Sequence, residues 1–190
     1  MEILDIIKKR RSIDPDLFNG EEVDKSIIVE MLEAANWAPT HGFTEPWRFI
    51  VYAKDKVQDF GNMHAEMYKS LTDATQFLEK KYDKIKYRAK NCSHVIVCVN
   101  KRGDKSNIPE IEELAATSAA IENMLLVATA HNAGTFWSTG GMCYHPKMRE
   151  ILGFDEQDKI IGIIYVGKYK EADYPVGRRT TDALSKVVWK

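Results

Sequence analysis

The chain has 190 residues, of which 44% are hydrophobic and 29% are charged. This balance is typical of one globular domain, residues 1–190, and excludes an intrinsically disordered chain. The 27 basic and 28 acidic residues leave a net charge of −1, which gives no general attraction to nucleic acid or to an anionic membrane. The longest apolar runs are far shorter than the ~20 residues that a membrane-spanning helix requires. We therefore expect no nucleic-acid partner and no membrane association.

The cysteines and histidines show no metal-binding or nucleophile pattern. Cys92, Cys98 and Cys143 lack CxxC or Cys/His spacing, and the five histidines contain no HExxH or HxxxH pair. We therefore predict no metal site, and the odd number of thiols favours a reducing, cytoplasmic location. The N-terminal sequence MEILDIIKKRRS places its basic residues after its apolar ones, which is the reverse of the order in a signal peptide.

The first predicted helix is amphipathic and ends in a basic run. Apolar residues within residues 3–7 share one helical face, and residues 8–11 are KKRR, followed by Ser12. Cations suit the C-terminal end of a helix dipole, so a solvated helix end is one interpretation. The other is an anion clamp in which Arg10, Arg11 and Ser12 contact one phosphate. Composition alone leaves both interpretations open.

A second predicted helix opens at residues 24–26 and stops at a loop that is bounded by prolines. The loop begins at Trp37 and closes at Pro46, and it carries hydroxyl, imidazole and aromatic side chains between these ends. Each proline biases the residue before it away from helix. Loops that carry such groups on a rigid frame often have functional roles, although His41 taken alone favours a surface or capping role.

The remaining elements are predicted from their hydrophobic periodicity. Short apolar runs predict strands, and longer segments with apolar residues at helical spacing predict helices. Residue 110 begins the longest helix, which is apolar around much of its circumference and suits either a central core or an oligomer interface. The predicted strands are residues 48–53, 92–100, 135–137 and 159–167, and the predicted helical segments are residues 56–90, 110–133 and 146–152.

Most motifs of covalent and nucleotide chemistry are absent. The sequence contains no GxSxG, no Walker A motif and no GxGxxG, which argues against a nucleophile elbow, a P-loop and a Rossmann site. Four clusters remain, at residues 10–12, 37–47, 136–141 and 177–179. Two basic clusters with aromatic and hydroxyl-bearing segments between them suit a ligand that combines one phosphate with a flat polar ring.

In order and composition these clusters resemble the nitroreductase family of FMN-dependent flavoproteins. The chain has an early RRS, then AP and a polar loop closing on PW before a strand, a long helix leading into GTFWSTGG, and a basic C-terminal turn. The resemblance runs from Arg10 to Trp189. It implies an α+β fold with a central mixed sheet flanked by helices, and an intertwined homodimer with two FMN molecules at its interface.

The resemblance implies that the two basic clusters hold the FMN phosphate. Arg10, Arg11 and Ser12 resemble the residues that bind the phosphate and the ribityl chain. Either Arg178 or Arg179 resembles the basic residue that completes the phosphate site, with a slight preference for Arg179.

The other two clusters are implied to contact the flavin ring. Trp37 and His41 fall where compact family members place FMN contacts from the partner subunit, which favours a ligand role for His41 over a capping role. Gly140 and Gly141 are expected to let the backbone approach flavin N5. The residues implied to lie along the isoalloxazine ring are Phe136, Trp137, Ser138 and Thr139.

Two loop positions depart from the family pattern. Many members have Asn where this chain has Phe43, and Gln where it has Glu45. The loss of these amides changes the hydrogen bonds offered to the flavin pyrimidine edge, and a nearby carboxylate repels an anionic reduced flavin. Neither residue is therefore predicted to bind the cofactor, and Trp47 and Trp189 are expected to pack in a core or an interface.

The implied function is an FMN-dependent oxidoreductase that uses NADH or NADPH to reduce electron-poor small molecules such as nitroaromatics and quinones. Hydride would pass through flavin N5 in a ping-pong cycle. Because the cofactor carries this chemistry, no side chain is predicted to act as a catalytic acid or base. The alternatives are a non-catalytic FMN-binding protein and a dehalogenase or flavin-remodelling enzyme on the same scaffold.

Overall fold

The chain folds around an antiparallel sheet with helices on both faces. A computed structural model describes residues 2–105 and 107–190. None of the helices in these two ranges is long and apolar enough to cross a lipid bilayer. The helices are α1 (Ile3–Lys9), α2 (Lys25–Asn36), α3 (Asp55–Leu71), α4 (Glu79–Tyr87), α5 (Glu110–Ala130) and α6 (Pro146–Ile151), and the strands are β1 (Trp47–Ala53), β2 (His94–Asn100), β3 (Gly134–Ser138) and β4 (Lys159–Gly167).

The strands lie in the order β1-β2-β4-β3, and every neighbouring pair is antiparallel. The α+β class is confirmed. A mixed sheet was expected, but among the described residues the only parallel pairing is a single bridge between Ser12 and Thr135. The sequence could not reveal strand direction, because a strand covered on both faces is a continuous apolar run in a parallel or an antiparallel sheet. All seven residues of β2 are buried.

The sheet separates two hydrophobic cores. On one face, α2 and α5 cover Ile96 and Ile164, and on the other, α3 and α6 cover Val97 and Ile163. Successive residues of a strand point to opposite faces, so β2 and β4 each supply both cores. The long helix α5 therefore has the central core role that its apolar circumference allowed. Trp47 lies in the same core as α5 and is only 6% exposed, as expected.

The segment predicted as mostly helical, residues 56–90, consists of two helices joined by a turn. The break follows Leu71, where Asp73 accepts hydrogen bonds from the backbone N–H and the hydroxyl of Thr75. Short Asp and Thr side chains compete in this way with helical hydrogen bonds. The Tyr68 hydroxyl also accepts a hydrogen bond from the N–H of Leu78 at 3.1 Å. As a result, α4 folds back onto α3.

Gly162 in the middle of β4 allows the Trp137 indole of β3 to pack against the strand. The indole Nε1 donates a hydrogen bond to the carbonyl of Ile161 at 3.3 Å. A Cβ atom on Gly162 would lie 2.0 Å from that Nε1 atom. The close backbone approach that a glycine inside a strand suggests is therefore present.

We expect Gly162→Ala to destabilise the protein by about 1–3 kcal/mol, because the new methyl group must displace a packed indole. The measurement is urea denaturation followed by circular dichroism. Gly140→Ala is the control, since its Cβ would meet only the Ser138 Oγ, at 3.6 Å, and we expect a change of no more than about 0.5 kcal/mol. Equal stability of the two variants would contradict the packing of Trp137 on Gly162.

Candidate functional site

The two basic clusters from opposite ends of the sequence meet in space. The Arg11 guanidinium packs directly on Gly177, where a Cβ would lie 1.8 Å from the Arg11 Nη2. The Tyr174 hydroxyl donates a hydrogen bond to the carbonyl of Lys9, which fastens the C-terminal segment to the end of α1. Arg178 and Arg179 follow at once and are exposed. The structure therefore brings both clusters together but does not distinguish Arg178 from Arg179.

Arg11 is held by its own backbone and has a spare donor. Its Nη1 donates to the carbonyls of Lys8 at 2.7 Å and Arg10 at 2.6 Å. Its Nε is buried and has no hydrogen-bond partner in the part of the chain that the structure describes. Buried polar atoms without partners are costly and uncommon, so this donor suits an anion. Arg10 instead pairs with Glu122, Nε to Oε1, at 3.5 Å.

Residue Ser12 connects the basic end to β3. It forms the parallel bridge with Thr135, and the next N–H, that of Ile13, donates to the Thr135 carbonyl at 2.9 Å. Strand β3 therefore starts beside the basic residues. Its other end, Ser138, leads through residues 139 and 140 into the turn of residues 141–144.

A cavity of about 430 Å³ lies between residues 138–141 and α4. Its apolar wall includes Phe136, Ile85 and Tyr165, and its polar wall includes Ser138. The Ser138 hydroxyl accepts a hydrogen bond from the N–H of Gly140 at 3.3 Å, which bends the backbone at the cavity edge. The predicted ring-contacting residues that border this cavity are Phe136, Trp137, Ser138, Thr139 and Gly140.

Trp37 and His41 do not border this cavity. Trp37 is 79% exposed, and its indole N–H donates to Glu33 Oε1 at 3.1 Å. The His41 Nδ1 lies 2.5 Å from Glu112 Oε2 near the start of α5. Within one chain, these two predicted residues therefore lie away from the cavity.

The loop that carries His41 has an unusual backbone. The φ angles are +60° at Gly42, +55° at Phe43 and +42° at Glu45. A bulky residue rarely adopts positive φ, whereas Gly and Asn do so readily. The Phe43 side chain is also 89% exposed. The two positions that depart from the family pattern are therefore strained, which is a feature that clusters at functional sites.

The predictions missed His64, which fixes the turn beside the cavity. Its Nε2 accepts the N–H of Met142 at 2.8 Å, and a Cβ on Gly141 would lie only 2.5 Å from that nitrogen. Gly141 also has φ of +67°. Burial lowers the pKa of His64 to about 4, so the imidazole is neutral and Nδ1 carries the proton. The sequence feature that could have indicated a buried His64 is its position four residues after Phe60, on the buried face of α3.

The predictions also missed Arg88, which follows α4 and borders the same cavity. Its guanidinium carbon lies 4.7 Å from the centroid of the Phe136 ring and 5.7 Å from that of Tyr165. Its Nη2 lies 3.7 Å from Asp14 Oδ2, and its buried Nε has no hydrogen-bond partner among the described residues. No sequence motif surrounds Arg88, so only the fold of α4 onto α3 reveals it.

Among the described residues, the thiols are not activated as nucleophiles and the acidic side chains form no metal site. Burial raises the pKa of Cys92 and of Cys143 to about 12 and raises that of Cys98 as well. The thiols are therefore protonated and poor nucleophiles. Across residues 2–105 and 107–190, no group of three or more His, Cys, Asp and Glu side chains is arranged to hold a metal ion.

We expect the His64→Gln variant to lose less stability in acid than the wild type. The unfolded chain takes up a proton on His64 below about pH 6.5, whereas the folded chain does so only below about pH 4. Stability therefore falls as the pH drops through this window, by about 3 kcal/mol for His64. Urea denaturation at pH 7 and pH 4 measures the loss in both proteins, and equal losses would contradict a neutral, buried His64.

Comparison with known proteins identifies the fold and the family. The Nitroreductase family model matches residues 7–168. A Bacillus subtilis protein provisionally named NAD(P)H nitroreductase YfhC is 32% identical over 170 residues, which cover 88% of this chain and 84% of that protein. The crystal structure of a nitroreductase-like family protein from Bacillus cereus is 27% identical with a TM-score of 0.82, covering 100% of this chain and 96% of that chain.

A second structure shares the fold at lower identity. It is a Desulfovibrio desulfuricans protein provisionally described as a nitroreductase and solved in complex with FMN. It is 22% identical with a TM-score of 0.74, covering 100% of this chain and 97% of that chain. Because the family model spans most of the sequence and YfhC matches over most of both lengths, the chain belongs to the nitroreductase family.

Proposed function

We propose that the protein is an FMN-dependent oxidoreductase that uses NADH or NADPH to reduce electron-poor acceptors such as nitroaromatics and quinones. The observation that carries the proposal is the position of β3. Near its start lies Arg11, whose buried Nε has no partner among the described residues, and at its end lies the cavity bordered by residues 136–141. Strand β3 therefore connects Arg11, a donor for a phosphate, with a cavity for a ring.

The residues present fit FMN. Arg11 offers a buried donor, Ser12 an exposed hydroxyl, and Arg178 and Arg179 two further positive charges after Gly177. Guanidinium forks match phosphate oxygens in geometry and charge. Names and titles of relatives agree, since one is called an NAD(P)H nitroreductase and another was solved with FMN.

The protein contributes binding and orientation rather than acid–base chemistry. When bound, FMN supplies the capacity to take a hydride from a nicotinamide and to pass it to an acceptor. His64 holds the turn of residues 141–144 through the N–H of Met142, and Phe136 supplies an aromatic wall. We assign no side chain as a general acid or base.

We also propose a homodimer in which Trp37 and His41 complete the partner's site. The support is the amount of apolar side chain that one chain leaves exposed: Trp37 is 79%, Val176 96% and Trp189 83% exposed. Large apolar side chains that are this exposed are typical of interaction surfaces when they lie together. The apolar C-terminal ending, which was expected to dock, leaves Trp189 unpacked within a single chain.

The whole proposal is tested by the spectrum and the anaerobic reduction of the protein. We expect the purified protein to take up FMN and to show the visible bands of oxidised flavin. Anaerobic NADH or NADPH should bleach these bands, and a nitroaromatic or a quinone should restore them. Absence of FMN uptake would refute the proposal, whereas uptake without bleaching by either nucleotide would indicate a non-catalytic FMN-binding protein. Bleaching that only a halogenated aromatic reverses would indicate a dehalogenase.

We expect Arg11→Gln to weaken FMN binding by about 10- to 100-fold, because charge-assisted hydrogen bonds to phosphate contribute about 1.5–3 kcal/mol. Fluorescence titration of the apoprotein with FMN measures the dissociation constant. Arg149→Gln is the matched control, because the Arg149 Nε is likewise buried without a partner among the described residues, and Arg149 borders a different cavity. Equal effects of the two variants would contradict the phosphate role of Arg11.

Mixed dimers test whether the site is shared between subunits. We expect Arg11→Gln and His41→Ala homodimers each to bind FMN weakly. A heterodimer purified with two different tags combines one chain of each type. If Arg11 of one chain and His41 of the other build one site, the heterodimer has one intact site and binds one FMN tightly. Weak binding at both of its sites would show that each site belongs to one chain.

A further inference from the structure

We propose that the cavity beside residues 138–141 selects acceptors that carry an anionic group, such as an aromatic carboxylate, close to the ring that is reduced. This inference rests on the proposed oxidoreductase function and names the substrate class of the same site. It follows from three features: the positive charge on one face of α4, the fixed position of Arg88, and the apolar side chains that border the same cavity.

One face of α4 supplies the charge. Lys81, Lys84, Ile85 and Arg88 follow one another at spacings of three, one and three residues, and all four border the cavity. Side chains three and four residues apart share one face of a helix, and this periodicity places two lysines and the following arginine along one wall. The opposite wall is the segment of residues 138–141, which follows β3.

Among the described residues, the cavity wall itself carries basic side chains and no acidic one. The residues that border it include Lys81, Lys84 and Arg88 but no Asp or Glu. His64, the fourth titratable base of the wall, is neutral because burial lowers its pKa to about 4. The nearest acid to Arg88 is Asp14, whose Oδ2 lies 3.7 Å from the guanidinium. A ligand anion therefore enters a cavity of net positive charge.

Arg88 is fixed in position before any ligand arrives. Its side chain is only 14% exposed, and its guanidinium lies against the rings of Phe136 and Tyr165. Cation–π contacts of this kind hold a guanidinium by its flat face. Its buried Nε has no partner in the described ranges, and His64 Nδ1 is a second buried donor without one. Both residues border the cavity.

The apolar part of the wall determines the shape of the ligand. With the proposed flavin ring along residues 136–141, the space left for an acceptor ring is the side of the cavity that faces α4, where Ile85 lies directly beside the basic side chains. The anion must therefore lie next to the reacting ring, as it does in an aromatic carboxylate. The phosphates of NADH and NADPH lie at least a ribose away from the nicotinamide ring, which makes them the poorer match.

The experiment follows the oxidative half-reaction alone. FMN-loaded protein is reduced with one equivalent of dithionite and mixed anaerobically with 4-nitrobenzoate or with its neutral methyl ester. Stopped-flow absorbance gives the rate of flavin reoxidation with each acceptor. We expect the Lys81→Gln/Lys84→Gln variant to lower the rate with 4-nitrobenzoate by about tenfold at low salt and to change the rate with the ester by less than twofold. Raising the ionic strength should reduce the difference.

Lys86→Gln is the matched control. It removes one positive charge from the same helix, where the double variant removes two, but Lys86 does not border the cavity and lies over the rings of Tyr82 and Tyr87. We expect it to leave the ratio of the two rates unchanged. An equal loss in this control, or an unchanged ratio in the double variant, would overturn the proposal. So would a double variant that slows only the reductive half-reaction with NADPH.

A binding measurement keeps the two proposals separable. Benzoate, which cannot be reduced here, is titrated into the oxidised holoprotein, and its dissociation constant is read from the shift of the flavin spectrum. We expect the double variant to raise this constant by about tenfold. If neither nitro compound reoxidises the flavin, the proposed function fails, and the benzoate titration still decides the anion site. Reoxidation with identical benzoate binding in all variants would overturn the anion site alone.

Discussion

The pairing of residues 12 and 13 with Thr135 is the interaction on which the candidate site depends. Strand β3 has five residues and lies at the edge of the sheet, where unpaired backbone groups would face solvent or another chain. The N-terminal segment covers the start of this edge. In doing so, it places Arg11 and the C-terminal segment beside the same strand whose other end opens into the cavity. One short edge strand therefore joins the basic residues at its start to the cavity at its end.

The far end of β3 is positioned by a histidine that functions as an acceptor. The turn at Gly141 requires positive φ and the absence of a side chain, because the His64 ring occupies the space of a Cβ. His64 can accept the N–H of Met142 only while its Nε2 is unprotonated. Burial in the α3 core maintains that state. The same burial therefore keeps His64 uncharged and lets it hold the backbone at Met142.

The sequence was sufficient where a local pattern decides the structure. Strand β4 has the bounds predicted for it, 159–167, because a run of β-branched residues between turn signals admits few other structures. Residues 56–90 were predicted as mostly helical, but the position of the break after Leu71 was not predicted, because an Asp–Thr turn is weak against the helical pattern on both sides of it. The basic and aromatic clusters were found through their order along the chain. His64 and Arg88 were not, because the role of His64 arises from its contact with the distant turn at Met142 and that of Arg88 from α4 folding back on α3, and no single segment encodes either contact.

Trp37 and His41 can contact a bound flavin only if a second copy of the chain is present. In one chain they lie on the surface against Glu33 and Glu112, so a role in the ring site requires a second copy. The loop that carries them retains positive φ at Phe43 and Glu45, where residues with shorter or no side chains would relax the backbone. A strained loop that exposes a phenylalanine has no advantage in an isolated chain. It becomes understandable if Phe43 packs against another surface, because burial of that ring would offset about 1–3 kcal/mol of backbone strain. The loop is therefore better explained as part of an interface than as an independent surface feature.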